Sequence, residues 1–272
     1  MALYADRGAH RPSPAGAGGR PMTTTTPDRV ALVTGAARGL GACIAGRLYG
    51  AGYRVALTDL DEAAAVAAAA DLAPDGRNAI GLGLDVRDKD AFVRVRDQLV
   101  ARWGAVHVLV NNAGYSKVEP LMEITPDSFG SVVSSNLDGT FFGCQVFGAY
   151  FAGRGYGRIV NIASLAGQNG GSATGGHYAA AKGGVATLTK VFARELGPQG
   201  VTVNAIAPGV QDLPVVRELV APEQLARIEE SIPVRRLGRP EFIADMAVLL
   251  AADHADTVTG ACWDANGGLN MR

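Results

Sequence analysis

Short apolar runs rich in β-branched residues alternate with stretches of helical periodicity from Arg29 onward. The runs lie at 30–34, 54–58, 79–84, 106–111, 158–162 and 201–206, with a late one at 261–264. They lack a clean alternation of apolar and polar residues, as expected for strands that helices cover on both faces. Between them, Phe92, Val95, Leu99 and Trp103 recur at helical spacing. The pattern predicts an α/β fold: a doubly wound parallel sheet of about seven strands with helices on both faces, in a single domain over residues 29–272.

The composition favours an intracellular protein that acts on small molecules. The 272 residues are 48% hydrophobic, enough for one large core, and the net charge of -1 offers no basic surface to a nucleic acid. No apolar run reaches the roughly 18 residues that span a bilayer, and no secretion signal is visible, so we expect a soluble cytoplasmic protein without a membrane partner. Cys43, Cys144 and Cys262 lack paired spacing, which predicts three buried thiols, no disulfide and no metal site.

Two segments fall outside this pattern. Residues 1–28 are rich in Pro, Gly, Ala and Thr, and predict a disordered, flexible tail, with Met22 as an alternative start. Three arginines outnumber the single acidic residue, Asp6, so a transit peptide is an alternative, although no amphipathic stripe supports it. Residues 213–239 contain three prolines, which is typical either of a substrate lid, at roughly 210–240, or of a packed helical excursion.

A glycine pattern follows the first predicted strand and opens a helix. It reads Val33-Thr34-Gly35-Ala36-Ala37-Arg38-Gly39-Leu40-Gly41. Glycines at such a turn let the backbone approach a pyrophosphate, and the unpaired N–H groups of the helix amino terminus bind the anion. The pattern therefore predicts a Rossmann-type nucleotide site, with these candidate cofactor-binding residues: Gly35, Arg38, Gly39, Leu40 and Gly41.

Asp59, at the end of the second predicted strand, is placed to accept hydrogen bonds from an adenosine ribose and to repel a 2′-phosphate. Its alternative role is the cap of a helix that begins before Glu62. Arg38 argues for the other cofactor, because a guanidinium in the glycine turn could hold a 2′-phosphate. Together the two residues favour NAD and leave NADP open.

Tyr178 and Lys182 are four residues apart in a predicted helix, so their side chains project from one face, about one turn apart. An isolated phenol has a pKa near 10, and a neighbouring ammonium lowers it by favouring the phenolate. The pair predicts a proton donor for hydride transfer in the chain that carries the nucleotide site. His177 adjoins Tyr178, but neighbouring helix positions diverge, so we expect a rim or core histidine.

These motifs resemble those of the short-chain dehydrogenase/reductases, in the compact branch with Thr-Gly-x-x-x-Gly-x-Gly and Tyr-x-x-x-Lys, from residue 29 to the end. The resemblance implies further cofactor contacts at Asp85 and Val86 (adenine), Asn112, Ala113 and Gly114 (beside the cofactor), and Pro208, Gly209 and Val210 (near the nicotinamide). It also implies that the Tyr178 and Lys182 pair contacts the cofactor.

The resemblance implies four catalytic residues, namely Asn136, Ser164, Tyr178 and Lys182. Tyr178 would exchange a proton with the substrate oxygen, and Lys182 would lower the pKa of Tyr178 and hold the nicotinamide ribose. Ser164 would hydrogen-bond the substrate oxygen, while Asn136 would hold a water in a proton relay. Ser164 alone is typical of a strand-end turn, and Asn136 alone of a helix polar group, but their order beside the pair favours the catalytic roles.

Substrate and assembly are less constrained. The family usually has a threonine where this chain has Leu213, beside Gln211 and Asp212, which changes how a nicotinamide would be held. The carboxyl end resembles β-ketoacyl-acyl-carrier-protein reductases, so the first hypothesis is interconversion of a secondary alcohol and a ketone, as in a 3-oxoacyl reductase. Because those reductases usually prefer NADPH, Asp59 favours a catabolic dehydrogenase of a polyol, cyclic alcohol or hydroxyacyl thioester. An idle nucleotide-binding scaffold and a dehydratase or epimerase are further alternatives.

The glycine-rich stretch 167–176 predicts a mobile loop over the substrate. Members of the family form tetramers, so the resemblance also implies a homotetramer. Five aromatic residues between 141 and 151 suit either a subunit interface or an ordinary core.

Overall fold

The computed structural model describes residues 29–171 and 174–271. Over these ranges seven strands form one parallel sheet. The strands are β1 (Val30–Thr34), β2 (Arg54–Asp59), β3 (Ala79–Gly83), β4 (Val108–Asn111), β5 (Gly157–Ile162), β6 (Val201–Pro208) and β7 (Cys262–Ala265). The helices are α1 (Gly39–Gly50), α2 (Glu62–Leu72), α3 (Lys89–Trp103), α4 (Pro126–Val133), α5 (Gly139–Ala152), α6 (Ala166–Asn169), α7 (Gly176–Leu196), α8 (Pro214–Leu219), α9 (Pro222–Ser231) and α10 (Pro240–Ala251). The predictions for residues 1–28, namely a flexible tail, a start at Met22 and a transit peptide, lie outside the described residues.

The strand order β3-β2-β1-β4-β5-β6-β7 reverses at β1. Ala31 of β1 pairs with Val55 of β2 on one side and with Val108 of β4 on the other. In doubly wound sheets, a crevice forms outside the carboxyl ends of the strands where the order reverses. The turns after β1, β2 and β4, which carry most of the predicted cofactor residues, therefore meet at this edge.

Helices cover both faces of the sheet, as the unbroken apolar runs predict. Successive residues of a strand point to opposite faces. Val33 accordingly packs in one core with Ile44 of α1 and Ile243 of α10, whereas Leu32 packs in the other with Phe147 of α5. Both β1 residues are fully buried. The predicted α/β fold class is confirmed.

Some predicted features differ in the structure. Stretch 167–176 is not one loop, because residues 166–169 form α6 and α7 already begins at Gly176. Cys144 is buried, as predicted, but Cys43 and Cys262 are only half-buried. No helix in the described ranges combines the length and the apolar character that crossing a bilayer requires.

The segment between β6 and α10 forms a packed helical excursion. It contains α8 and α9, and its buried Leu225, Ile232 and Leu237 form a small core of their own, against which Val210 packs. Two of the three prolines in this segment, Pro214 and Pro222, start helices, where a missing N–H costs nothing. A role of the excursion as a substrate lid remains a prediction.

Candidate active site

The glycine turn after β1 makes the close backbone approach that the sequence predicts. Gly35 and Gly39 have φ values of +61° and +60°, in the left-handed region that favours glycine. Gly41 has no room for a side chain, since a Cβ there would lie 2.6 Å from Nδ2 of Asn112 and nearer still to the carbonyl oxygen of Gly35. Arg38, the residue before α1, makes no side-chain cap, so the first N–H groups of the helix remain for an anion.

Thr34 and Asn112 fasten this turn to the end of β4. The Thr34 hydroxyl accepts hydrogen bonds from the backbone N–H groups of Asn112 and Ala113, each at 3.0 Å, and donates to the carbonyl of Val110 at 3.4 Å. The Asn112 side-chain amide donates to the carbonyls of Thr34 and Gly35, each at 2.9 Å. Asn112 therefore shapes the turn directly. The sequence analysis did not predict this role of the Thr34 hydroxyl, although a threonine at the end of a buried strand indicates a possible hydrogen bond to a neighbouring turn.

Asp59 lies at the carboxyl end of β2, beside the glycine turn. Its Oδ2 accepts from the Ala37 N–H at 3.2 Å, and its Oδ1 accepts from the Asp61 N–H at 3.3 Å. The cap of α2 is Asp61, whose Oδ1 accepts from the Ala64 N–H at 3.0 Å. The alternative role of Asp59 as the helix cap is therefore wrong. Two backbone N–H groups orient its carboxylate and leave lone pairs for a ligand.

A cleft of about 490 Å³ lies over the glycine turn. Ten predicted cofactor-binding residues line it: Gly35, Arg38, Leu40, Gly41, Asp59, Asp85, Val86, Asn112, Ala113 and Gly114. Its size is that of ligand sites in proteins, and its mixture of bare backbone and charged groups fits a nucleotide. Gly39 belongs to the same turn.

Arg87, which was not predicted, also lines the cleft. Its guanidinium pairs with the Asp85 carboxylate (Nη2–Oδ2 2.7 Å), and this hydrogen bonding lowers the pKa of Asp85. Nothing in the sequence distinguishes Arg87 from an ordinary surface arginine.

Asn136 lies beside the cleft, against Gly114 and Tyr115. It is fully buried in a π-helical turn, Ser134–Asp138, between α4 and α5. Its Nδ2 donates to the carbonyls of Tyr115 at 2.8 Å and Val132 at 2.9 Å. Its Oδ1 is buried without a hydrogen-bond partner in the described residues and lies against Gly114, where a Cβ would collide with it. Such turns are frequent at functional sites, and the unpaired oxygen is an acceptor for water or ligand.

Ser164, Tyr178 and Lys182 lie together at the carboxyl edge of β5. The buried Lys182 ammonium donates to the carbonyl of Ile162, the last residue of β5, at 2.7 Å. It lies 5.6 Å from the centre of the Tyr178 ring. Ser164 is two residues beyond the strand; its hydroxyl accepts from the N–H of Ala166 at 3.1 Å and lies close enough to Tyr178 to lower the pKa of the phenol. The structure therefore brings Ser164, which follows β5, close to Tyr178 and Lys182 of α7.

Burial governs the protonation of both ionisable groups. It raises the pKa of Tyr178, and the nearby Ser164 hydroxyl only partly opposes this rise. Burial also lowers the pKa of Lys182 to about 8. The predicted lowering of the Tyr178 pKa by Lys182 is not found, because desolvation dominates and the ammonium is held by Ile162. The four-residue spacing predicts proximity correctly but carries no information on burial.

Pro208, Gly209 and Val210 form the turn at the end of β6. The Pro208 carbonyl accepts from the N–H of Leu165, next to Ser164, at 2.9 Å, so this turn adjoins the catalytic candidates. The Val210 carbonyl is occupied by the N–H of Gly238 at 2.9 Å. Val210 lines a second cavity, of about 540 Å³, beside α10 rather than the nucleotide cleft.

Leu213 stands where the family usually has a threonine. It directly precedes α8 and makes no side-chain cap. The Asp212 carboxylate is engaged by Arg217 at 2.6 and 2.8 Å. The buried Gln211 amide donates to the Gly209 carbonyl at 3.1 Å, and its Oε1 has no partner in the described part of the chain. Gln211 therefore has a free acceptor beside the turn at Gly209.

His177 lies in the core, one of the two places that the sequence predicts for it. It is fully buried, and its two ring nitrogens contact the backbone N–H of Tyr178 and the carboxylate of Glu119. Glu119 is distant in sequence and was not predicted.

Known proteins match this chain along most of its length. A family model described as enoyl-(acyl carrier protein) reductase matches residues 35–270. The acetoacetyl-CoA reductase of Shinella zoogloeoides is 40% identical over 243 residues, which cover 88% of this chain and 98% of the relative. The chain belongs to the short-chain dehydrogenase/reductase family. It is accordingly an oxidoreductase that acts on CH–OH groups with a nicotinamide cofactor, and the idle-scaffold alternative is not supported.

This short-chain dehydrogenase/reductase is similar to enzymes with different substrates. The 3-oxoacyl-[acyl-carrier-protein] reductase FabG of Escherichia coli is 36% identical over 245 residues, covering 89% of this chain and 98% of FabG. The sorbitol dehydrogenase of Cereibacter sphaeroides is 36% identical over 251 residues, covering 88% and 96%. The crystal structure of a short chain dehydrogenase from Bacillus anthracis matches with a TM-score of 0.83 at 31% identity, covering 90% and 97%.

Proposed function

We propose that this protein interconverts a secondary alcohol and a ketone by hydride transfer, with Tyr178 as the proton-transfer residue. The bound nicotinamide supplies or accepts the hydride at the substrate carbon. The observation that carries the proposal is the half-buried Tyr178 side chain, which lies near Ser164 and Lys182 at the sheet edge that also bears the nucleotide cleft.

In the reducing direction, the carbonyl carbon gains the hydride and its oxygen becomes an alkoxide. Tyr178 donates its phenolic proton to this oxygen, and the product is the neutral alcohol. Because burial raises the pKa of Tyr178, the phenol keeps its proton until a more basic alkoxide forms. Ser164 stabilises the same oxygen with a second hydrogen bond. The oxidising direction reverses each transfer.

Lys182 has two roles in this proposal. Its pKa of about 8 leaves the ammonium largely protonated at neutral pH. The ammonium lies 5.6 Å from the centre of the Tyr178 ring, and in this proposal its charge offsets only part of the cost of burying the phenolate. Lys182 would also hold the nicotinamide ribose, and Asn136, with its unpaired Oδ1, would hold a water of the path that returns the proton from solvent.

We propose NAD as the preferred cofactor. The Asp59 carboxylate is fixed by the N–H groups of Ala37 and Asp61 at the wall of the cleft, where it would accept from ribose hydroxyls and repel a 2′-phosphate. Arg38 lines the same cleft but is exposed, and solvent weakens the attraction of an exposed guanidinium for a phosphate. We therefore expect the repulsion of a 2′-phosphate by Asp59 to outweigh its attraction to Arg38.

A β-ketoacyl thioester is the substrate we propose to test first, because two relatives act on such compounds by name, the acetoacetyl-CoA reductase and FabG. The second candidate is a polyol or cyclic alcohol. The sorbitol dehydrogenase relative and the NAD preference inferred from Asp59 favour it. A dehydratase or epimerase would show itself as product formation without net change in nicotinamide absorbance.

The first experiment is a titration of purified protein with NADH and NADPH separately, followed by nicotinamide fluorescence. We expect tighter NADH binding in the wild type and loss of that preference in Asp59→Ala. Asp61→Asn is the matched control, because Asp61 caps α2 and an amide oxygen keeps this cap. Tighter NADPH binding by the wild type would mean that Arg38 decides the choice. Acetoacetyl-CoA and sorbitol are then tested as substrates.

We also propose a cytoplasmic homotetramer that associates through α5 and α7. Phe141 of α5 contacts Phe192 of α7, with ring centres 5.7 Å apart, and both are partly exposed in the single chain. Val191 beside them is 51% exposed. An apolar face of this kind suits an interface between copies. Light scattering should give four chains for the wild type and fewer for Val191→Glu, and a monomeric wild type would contradict the proposal.

A further inference from the structure

His177 is fully buried and has no part in the chemistry above. It is the second residue of α7, where backbone N–H groups have no partner within the helix. Gly175, the residue before the helix, has no side chain to cap them. Instead, Nδ1 of His177 accepts from the N–H of Tyr178 at 3.0 Å. The imidazole therefore caps the residue whose phenol transfers the proton.

Glu119 holds the imidazole in this position. Because Nδ1 is the acceptor, the neutral ring carries its hydrogen on Nε2, which lies 3.2 Å from Oε2 of Glu119. Glu119 is held in turn: Oε1 pairs with the Lys117 ammonium at 2.9 Å, and Oε2 accepts from the hydroxyl of Ser128 in α4. Hydrogen bonds from Lys117 and Ser128 lower the pKa of Glu119 to about 2, so the carboxylate that faces His177 is charged at neutral pH.

The segment that carries Glu119 also packs directly on the start of α7. A Cβ at Gly175 would collide with the Lys117 carbonyl oxygen and the His177 ring. A Cβ at Gly176 would lie 2.6 Å from Cδ1 of Leu121. The first turn of α7 therefore cannot shift unless this segment shifts with it.

We propose that His177 is a positioning residue for Tyr178, and that Glu119 is a positioning residue for His177. The imidazole fixes the backbone of Tyr178, and the carboxylate fixes the imidazole. The proposal rests on the proposed function, in which Tyr178 transfers the proton. Proton transfer depends steeply on geometry, and a displacement of about 1 Å at a reacting group can lower the rate about 100-fold.

The test compares His177→Asn, His177→Phe and Glu119→Gln in the full chain. The Oδ1 of asparagine lies near the position of Nδ1 and restores the acceptor for the Tyr178 N–H, whereas phenylalanine fills the ring volume without an acceptor. With saturating NADH and acetoacetyl-CoA, or NAD and sorbitol, we expect His177→Phe to lower kcat about tenfold at unchanged KM and unchanged NADH Kd. His177→Asn should keep kcat within about threefold of the wild type, and Glu119→Gln should fall between the two.

Equal kcat losses in His177→Asn and His177→Phe would overturn the proposal, since the acceptor would then not matter. Parallel losses of kcat, NADH affinity and Tm in both would also overturn it, because they indicate a role in folding alone. If His177→Phe does not fold, Glu119→Gln decides: a lower kcat at unchanged Tm supports the proposal, and a wild-type kcat overturns it. Tyr178→Phe is measured alongside, because retained turnover in that variant refutes the proposed function itself.

Discussion

Replacing Thr34 by valine should destabilise the protein more than the same replacement at Thr58, although both threonines are fully buried at the ends of neighbouring strands. Valine keeps the β-branched shape and strand preference of threonine, so each change removes only a hydroxyl. At position 34 the change leaves the N–H groups of Asn112 and Ala113 without an acceptor. At position 58 it removes one donor to the carbonyl of Val33, 3.2 Å away.

The expected magnitudes follow from these partners. An unsatisfied buried N–H costs about 1–3 kcal/mol, and an ordinary hydrogen bond contributes about 1 kcal/mol. Because Asn112 and Ala113 are half-buried, the lower figure applies to each. We therefore expect a loss in the free energy of unfolding of about 2–3 kcal/mol for Thr34→Val and about 1 kcal/mol for Thr58→Val.

Urea unfolding followed by circular dichroism measures both losses, and equal m values show that the comparison is valid. Titration with NADH gives a second readout. Thr34→Val loosens the backbone at Asn112 and Ala113, which line the cleft, and should weaken NADH binding, whereas Thr58→Val should not. Equal losses of stability, or an unchanged NADH Kd in Thr34→Val, would refute the inference that the Thr34 hydroxyl holds the nucleotide turn.

Three further predictions follow from individual side chains. Gly41→Ala should weaken NADH binding at least about tenfold because its Cβ collides with the turn, while Gly46→Ala, in open space on the same helix, should bind like the wild type. Tyr178→Phe should lower kcat by about 100-fold or more at unchanged NADH Kd, measured by steady-state kinetics and fluorescence. His107 has a pKa lowered to about 4, chiefly by burial, so the unfolded chain binds its proton first as the pH falls from about 6.5 to 4, and stability should decline over that window. His107→Asn, which keeps an acceptor for the N–H of Val30, should show a flatter decline in urea unfolding between those pH values, and an identical decline would exclude His107 as its cause.

The sequence predicted the sheet well because its central strands are buried on both faces. The runs that become β1, β4, β5 and β6 are largely apolar without a clean alternation, and every residue of these strands is buried. The predicted strand bounds differ from the observed ones by at most two residues. Stretch 167–176 was harder, because glycine content indicates flexibility but does not exclude a short helix such as α6.

The proximity of Lys182 to Tyr178 was predicted correctly, but the effect of burial on their pKa values was not. Spacing placed Lys182 near Tyr178, yet the direction of the Tyr178 pKa depends on burial, which only the packed structure determines. The burial of His177 agrees with the prediction of a rim or core histidine, but its hydrogen bond to the next residue was not predicted. Neighbouring positions diverge in the middle of a helix, but in the first turn a side chain can return to an unpaired N–H of the next residue.

The nucleotide cleft and the proton-transfer residues share one structural connection, the segment between β4 and α4. Its first part includes Gly114, which lines the cleft and touches the unpaired Oδ1 of Asn136, while the next residue, Tyr115, accepts a hydrogen bond from the same side chain. Its later part includes Glu119, which reaches the amino end of α7 through His177. A ligand that displaces Gly114 must therefore act on Asn136 at once. Substitutions at the Gly114 end of the segment should alter cofactor affinity, and substitutions at Glu119 should lower kcat at unchanged NADH Kd, whereas substitutions in the α8 and α9 excursion, which has its own small core, should change substrate preference alone.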